Sequence, residues 1–435
     1  MRSASKRHGL ALATLFSLGL PHGAACADDT IQVWTRSSAD GRKTYDTIAE
    51  AFTKKSGVRV EYFNAMTDFE QRLARAAAGN DLPDLIINDV GSLGQFVGMG
   101  IVDEIDRGKI AGSADLHEAA WRGAKAHNGR YYAVPTSAQA HVLFIRKDWR
   151  TRLKMPVPQT WADVQALAKA FTEKDPDGNG RADTYGFVFP GSTTRGYAAW
   201  FMSSFLWQAG GDFIRPAGQD QYKSALTEPA AVQTLNWFKR LLCDDKVMQP
   251  NAINATTQEA NQAFISGQAG MYLSGPYHIA LFDKEPGRDK VEVVPAPAGS
   301  GGKAVLAGGE LAYLMKTSAH KAAAQKFVEF LISPEGQSLG MKAPAGGLPV
   351  VRLPVNKKVD VGATYQDPRW QMVADEYAQH GHALAAIPNW AKVQQVAAEG
   401  FNGSLARCST AVQADLQALS AKVDEELARQ KVLAK

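Results

Sequence analysis

Beyond its N-terminus the chain has no run of the roughly 20 consecutive apolar residues that a membrane-spanning helix needs. That excludes a helical integral membrane protein. Charge of one sign is also missing: 48 basic residues face 44 acidic ones, which makes no electrostatic case for nucleic acid as a partner. Catalytic signatures are absent too, with no G-x-S-x-G, no P-loop and no dinucleotide fingerprint. His117-Glu118 lacks the second histidine of H-E-x-x-H, and His380 and His382 read as surface histidines of a polar helix end rather than a metal pair. Carboxylates are plentiful, so a secreted polysaccharide-active enzyme stays open as an alternative that only a spatial carboxylate pair would reveal. Internal repeats and long low-complexity linkers are lacking.

Cysteine is scarce, at three residues, and its placement matters. Arg2, Lys6 and Arg7 precede an apolar stretch from Leu10 to Leu20 and small residues around Ala25, Cys26 and Ala27, the pattern of a secretory signal over residues 1–27. Cleavage after Ala27 is expected. Lipid anchoring at Cys26 is disfavoured, because Gly23 stands where an aliphatic residue is preferred. Cys243 and Cys408 then remain in an oxidising compartment, either as a disulfide or as two buried thiols. Removing the signal leaves 45 basic against 44 acidic residues.

About 400 mature residues exceed what one core serves, so two lobes are expected. Ile31 to Trp34 form a β-type run, followed by Tyr45, Ile48, Ala49 and Phe52 at helical spacing up to Gly57, a natural C-cap. Val58, Val60 and Tyr62 alternate, a helical stretch carries Phe69, Leu73, Ala76 and Ala77, and Leu85 to Ile87 make a buried strand. This β-α-β-α-β order predicts a parallel, doubly wound sheet with ligands beyond the carboxyl ends of its strands. A second α/β unit begins at Val142 to Ile145, with Thr160 capping the next helix. Ser333-Pro334 opens another helix, and Val412, Leu416, Leu419, Val423 and Leu427 mark a final amphipathic one.

Seven short landmarks occur in order: Gly79 to Leu85, Tyr131 to Pro135, Phe144 to Trp149, Gly267 to Met271, Ser274 to Tyr277, Ser333 to Gly336, and Pro388 to Trp390. Together they resemble the extracellular solute-binding proteins of ABC importers, the family that includes maltose-binding protein. The resemblance covers nearly the whole mature chain. It implies an α/β, two-lobed periplasmic-binding-protein fold, each lobe a mainly parallel sheet flanked by helices, with a ligand cleft between the lobes. Hinge crossings would fall near 136–140, 306–312 and 348–353. Lobe one would take 28–135 plus 311–347, and lobe two 136–310 plus 348–435.

Such a protein works by hinge closure, with a carbohydrate captured between the lobes and the closed shape read by the permease subunits. Sugars present hydroxyl rims and apolar faces, so the cleft needs aromatic platforms and fixed polar partners. Strand ends and family position select Arg36, Ser38, Asp40, Asn88 and Asp89 on lobe one. Gln139 lies at the first crossing and Glu310 at the second, with Arg195, Tyr197, Tyr277 and Trp390 on lobe two. Trp34 divides evenly between core and stacking platform, and Asp40 beside Gly41 can equally cap a helix. If both arginines face the cleft, an acidic sugar gains weight. A non-sugar solute, such as a phosphorylated polyol or a polyamine, is the alternative within the same fold.

Asp175, Asp177, Asn179, Arg181 and Asp183 stand at positions one, three, five, seven and nine of a calcium-loop pattern, with Gly180 at six. Gly186 breaks it at position twelve. A structural calcium and a metal-free polar turn are the two readings. No cofactor is required, no enzyme activity is expected, and a periplasmic monomer suits a protein that must open, close and dock.

Overall fold

The computed structural model describes residues 30–65, 68–218 and 220–434, so the signal segment and Cys26 lie outside the described residues. The chain opens with β1 (Thr30–Thr35), a helix Ala39–Ser56, β2 (Arg59–Asn64), a helix Phe69–Gly79 and β3 (Leu85–Asp89). β2 and β3 flank β1 in parallel, Thr35 pairing with both Asn64 and Ile87. Their carboxyl ends therefore share one edge of the sheet. The first helix has both of its ends written in the sequence: the Ser38 hydroxyl accepts the Gly41 N–H at 3.1 Å, and Gly57 closes the C-terminus at φ 76°.

The remaining strands are β4 (Val134–Ala140), β5 (Val142–Arg146), β6 (Tyr185–Phe187), β7 (Ile214–Gly218), β8 (Gln221–Ser224), β9 (Ala269–Ser274), β10 (Val291–Val294), β11 (Val305–Leu314) and β12 (Gly381–His382). One sheet runs β12-β11-β3-β1-β2, with β4 also paired to β11, and a second runs β10-β5-β9-β6. Parallel pairing holds for β2-β1-β3 and for β6-β9. β5 is antiparallel to β9 and β10, because it leaves the crossing directly after β4 while the other two return toward it. Ser274, the last residue of β9, thus lies opposite Val142, the first of β5.

The three segments expected to cross between the lobes lie side by side. Ala307 to Gly309 pair with Ala140 to Ala138, and Ala138 and Leu353 exchange backbone hydrogen bonds of 3.0 and 2.9 Å. The third segment stays on the first lobe beyond Leu353. Asn356, 1% exposed, satisfies its amide on the Ile332 carbonyl at 2.8 Å, and Lys357 N–H donates to Asp115. A buried amide must be hydrogen-bonded, and the partner of Asn356, Ile332, falls within the stretch expected for lobe one. Beyond Asn356, Arg369 grips Asp283 of the second lobe at 2.6 and 2.5 Å and Asp367 at 2.6 Å.

In the second lobe Cys243 and Cys408 form a disulfide across 165 positions, with Cα atoms 5.9 Å apart. Beside it, the Lys239 ammonium donates to the carbonyls of Arg407 and Thr410 at 3.1 and 2.9 Å. The final helix, Val412–Arg429, buries Val412, Leu416, Leu419, Val423 and Leu427. Among the described residues no helix is long and apolar enough to cross a membrane.

Candidate functional site

Parallel strands end where backbone N–H groups and side chains are no longer committed to the sheet, and here the ends of β1 and β3 supply Arg36 and Asp89. Their side chains pair at 2.6 Å. From the second lobe Arg195 reaches the same place, 2.9 Å from Glu70 and 3.8 Å from Asp89. Glu70 lies in the first turn of the helix that follows β2. Arg195 is held for this reach by its backbone: it takes a left-handed φ of 56°, Gly196 follows at 74°, and Gln394 donates to its carbonyl at 3.0 Å. Such a conformation costs a non-glycine residue energy and persists only where surrounding contacts fix it.

A second ion pair stands at the crossings. Glu310 on β11 accepts from the Tyr45 hydroxyl at 2.9 Å and is bonded to Arg352, whose guanidinium also donates to the Val350 carbonyl at 2.9 Å. Burial alone would lower the pKa of Arg352, but Glu310, then Tyr45 and Asp89, hold it above its ordinary value. A register shift between Glu310 and Leu311 in the β11–β4 pairing marks this point, a device that re-aims side chains. Tyr277, after β9, lies with its hydroxyl 3.3 Å from that of Ser274. Burial raises its pKa, and the fields of Asp89 and Arg352 reach it from the first lobe with opposite signs. Gln139, 7% exposed, pairs along β4 with Gly308.

The sequence-selected residues thus divide. Arg36, Asp89 and Arg195 are brought into one ion-paired group; Tyr277 lies within the field of Asp89, and Glu310 stands opposite Asp89 in the β11–β3 pairing. Asn88 is 2% exposed, with its amide donating to Ser92 at 3.1 Å, and Tyr197 packs on Phe201 at 6.3 Å between ring centres. Ser38 is spent as a helix cap. Asp40 is not a cap; it pairs with Lys43 at 2.9 Å and lies 3.9 Å from Lys284 of the other lobe. Trp34 packs against Phe63 and Phe69, at 5.0 and 6.5 Å.

Trp390, 5% exposed, lines a cavity of about 150 Å³ with Gly91, Ser137, Leu311 and Leu384. Leu311 turns to the opposite face of β11 from Glu310, which sits with Tyr45 and Thr136. The tryptophan is therefore placed away from the Glu310–Arg352 pair. His382 stacks on Trp207 at 4.1 Å and faces Asp212 at 3.4 Å, as an ordinary packed histidine would.

In the 175–183 loop the donors are already engaged by protein. Asp175 accepts the N–H groups of Gly178, Asn179 and Gly180, each at 3.0 Å, and the Asn179 amide donates to Asp177 at 2.8 Å and Asp183 at 3.1 Å. Arg181 pairs with Asp183 at 3.1 Å. Among the described residues no group of three His, Cys, Asp or Glu side chains is gathered that could hold a metal ion.

Glu70 and Arg352 were missed by sequence reasoning. Arg352 lay inside an expected crossing, which is a signal that went unused. Glu70 had none, since a surface glutamate in a first helical turn is ordinary.

The chain is similar to known proteins over most of its length. It is 28% identical over 183 residues to a polygalacturonan/rhamnogalacturonan-binding protein of Bacillus subtilis (strain 168), a match covering 40% of this chain and 34% of that protein. The chain thus spans about a third of the length of the first such relatives it matches. A maltooligosaccharide ABC transporter solute-binding lipoprotein of Streptococcus pneumoniae is 23% identical over 318 residues, covering 69% of this chain and 68% of that one. Among solved structures, the GacH receptor of Streptomyces glaucescens superposes with a TM-score of 0.77 at 22% identity, covering 94% of this chain and 100% of that one. The family model described as bacterial extracellular solute-binding protein matches residues 36–338, and the chain belongs to that family.

Proposed function

We propose that this protein is the exported receptor of an ABC importer, that it captures a sugar or sugar alcohol between its lobes, and that it presents the closed complex to membrane permease subunits. The observation that carries the proposal is the meeting of Arg36 and Asp89 with Arg195 of the opposite lobe at the carboxyl ends of parallel strands. Groups from both lobes at one place make lobe closure and ligand capture the same event. The relatives' names point the same way: one is named for polygalacturonan and rhamnogalacturonan and one for maltooligosaccharides, and GacH was crystallised with acarbose. The reading includes a periplasmic location after signal cleavage, a monomeric state and no catalysis.

A thermal-shift screen of residues 28–435 against neutral oligosaccharides, uronates, sugar alcohols and polyamines tests it. A ligand at 100 times its dissociation constant adds about 2.7 kcal/mol to stability. A stabilising sugar recovered unchanged supports the receptor. A sugar consumed during the assay, or stabilisation by polyamines alone, overturns the assignment.

A further inference from the structure

Among the described residues, three guanidinium groups, of Arg36, Arg195 and Arg352, meet three carboxylates, of Glu70, Asp89 and Glu310. Asp89 is held most closely by Arg36 at 2.6 Å, whereas Glu70 is the nearer of the two carboxylates to Arg195, at 2.9 against 3.8 Å. All of these side chains keep some contact with solvent: 14% for Arg36, 21% for Arg195, 30% for Asp89 and 31% for Glu70. A ligand entering between the lobes meets them.

We propose that Glu70 sets the charge preference of the site: by neutralising Arg195 it reserves the cleft for uncharged polyhydroxylated ligands and turns away uronates. The inference rests on the receptor reading above. A carboxylate ligand drawn to Arg195 would have to displace Glu70 and would then lie among Glu70 and Asp89, two like charges in a partly dehydrated cleft. A hydroxyl ligand faces no such cost, since paired carboxylates and guanidinium groups retain lone pairs and N–H bonds that hydroxyls can use. Burial raises the Glu70 pKa, Arg36 opposing and Asp89 reinforcing, which accords with its place inside the cleft.

Titration calorimetry on the full mature chain tests this, with a neutral panel of maltose, mannitol and ribitol and an acidic panel of galacturonate and digalacturonate. Wild type is expected to bind within the neutral panel and to reject the acidic one. Glu70→Gln, which keeps the shape and removes the charge, is expected to gain about tenfold or more in galacturonate affinity, the range of one charge-assisted hydrogen bond. The double variant Glu70→Gln/Arg195→Met should lose that gain, with matching thermal unfolding confirming that each protein is folded. Galacturonate bound by wild type as tightly as neutral ligands, or no gain in Glu70→Gln while neutral binding persists, overturns the role of Glu70 and leaves the receptor reading standing. Silence of wild type and variant on both panels overturns both.

Discussion

His141 and His278 are 1% and 3% exposed, and burial pushes the pKa of each down to about 3. His141 is stacked on Phe201 beside Ser204, and His278 on Phe282, so neither ring has a carboxylate to stabilise its charged form. In the unfolded chain both titrate near 6.5, so between pH 6.5 and 3 the unfolded state binds more protons than the native one. Stability from this source is complete above pH 6.5 and falls with pH by about 1.4 kcal/mol per unit for each histidine. Chemical denaturation of His141→Phe/His278→Phe across pH 7 to 4 should show a flatter stability profile than wild type. An unchanged slope would mean that other groups govern acid sensitivity. At the same scale, Glu310→Ala leaves the half-buried Arg352 without its carboxylate and should cost about 2 kcal/mol in urea unfolding, below the range for a fully buried pair.

Among the elements, the connection between the last two helices, Trp390–Leu405 and Val412–Arg429, is tied by a disulfide to the turn that follows the helix Pro229–Lys239 and by Lys239 to the end of that helix. Joining positions 165 apart removes much unfolded-state freedom, and the loop-entropy relation assigns the Cys243–Cys408 bridge about 5 kcal/mol. Cys243→Ser/Cys408→Ser is expected to lose a stability of that order in denaturant. A loss below about 1 kcal/mol would show that Lys239 and its neighbours suffice. The 175–183 loop belongs to this scale as well, since its order comes from one carboxylate that gathers three N–H groups. Asp175→Ala should lower the melting temperature equally with calcium and with chelator if the turn is metal-free; a calcium-dependent difference would establish the metal reading.

For the whole molecule, what matters is the ribbon formed by β4, β11 and the segment at Leu353, where the proposed hinge would lie. A Cβ added at Gly309 would stand 1.9 Å from the Ser137 carbonyl oxygen, a backbone atom that has no side-chain freedom to yield. Gly309→Ala should therefore push β11 off β4, cost about 3 kcal/mol, and abolish the ligand-induced fall in radius of gyration seen by small-angle scattering. Retention of that compaction would place the hinge elsewhere.

The elements and their ends were legible in the sequence, because they depend on neighbours a few positions away: Ser38 and Gly57 around the first helix, Thr160 before the fourth-spaced apolar run, Ser333-Pro334, and the stripe from Val412 to Leu427. So was the edge of the sheet on which to look for ligands, since strand order alone directs Arg36 and Asp89 to the same end. Local periodicity does not reveal which side chains meet across the gap between lobes. Only the tertiary structure paired Arg195 with Glu70, turned Trp390 to the far face from Glu310, and kept Asn356 on the first lobe. Those outcomes depend on desolvation and on partners that lie from 24 positions away, for Asn356 and Ile332, to 125, for Glu70 and Arg195, and no pattern of immediate neighbours in the chain encodes such pairings.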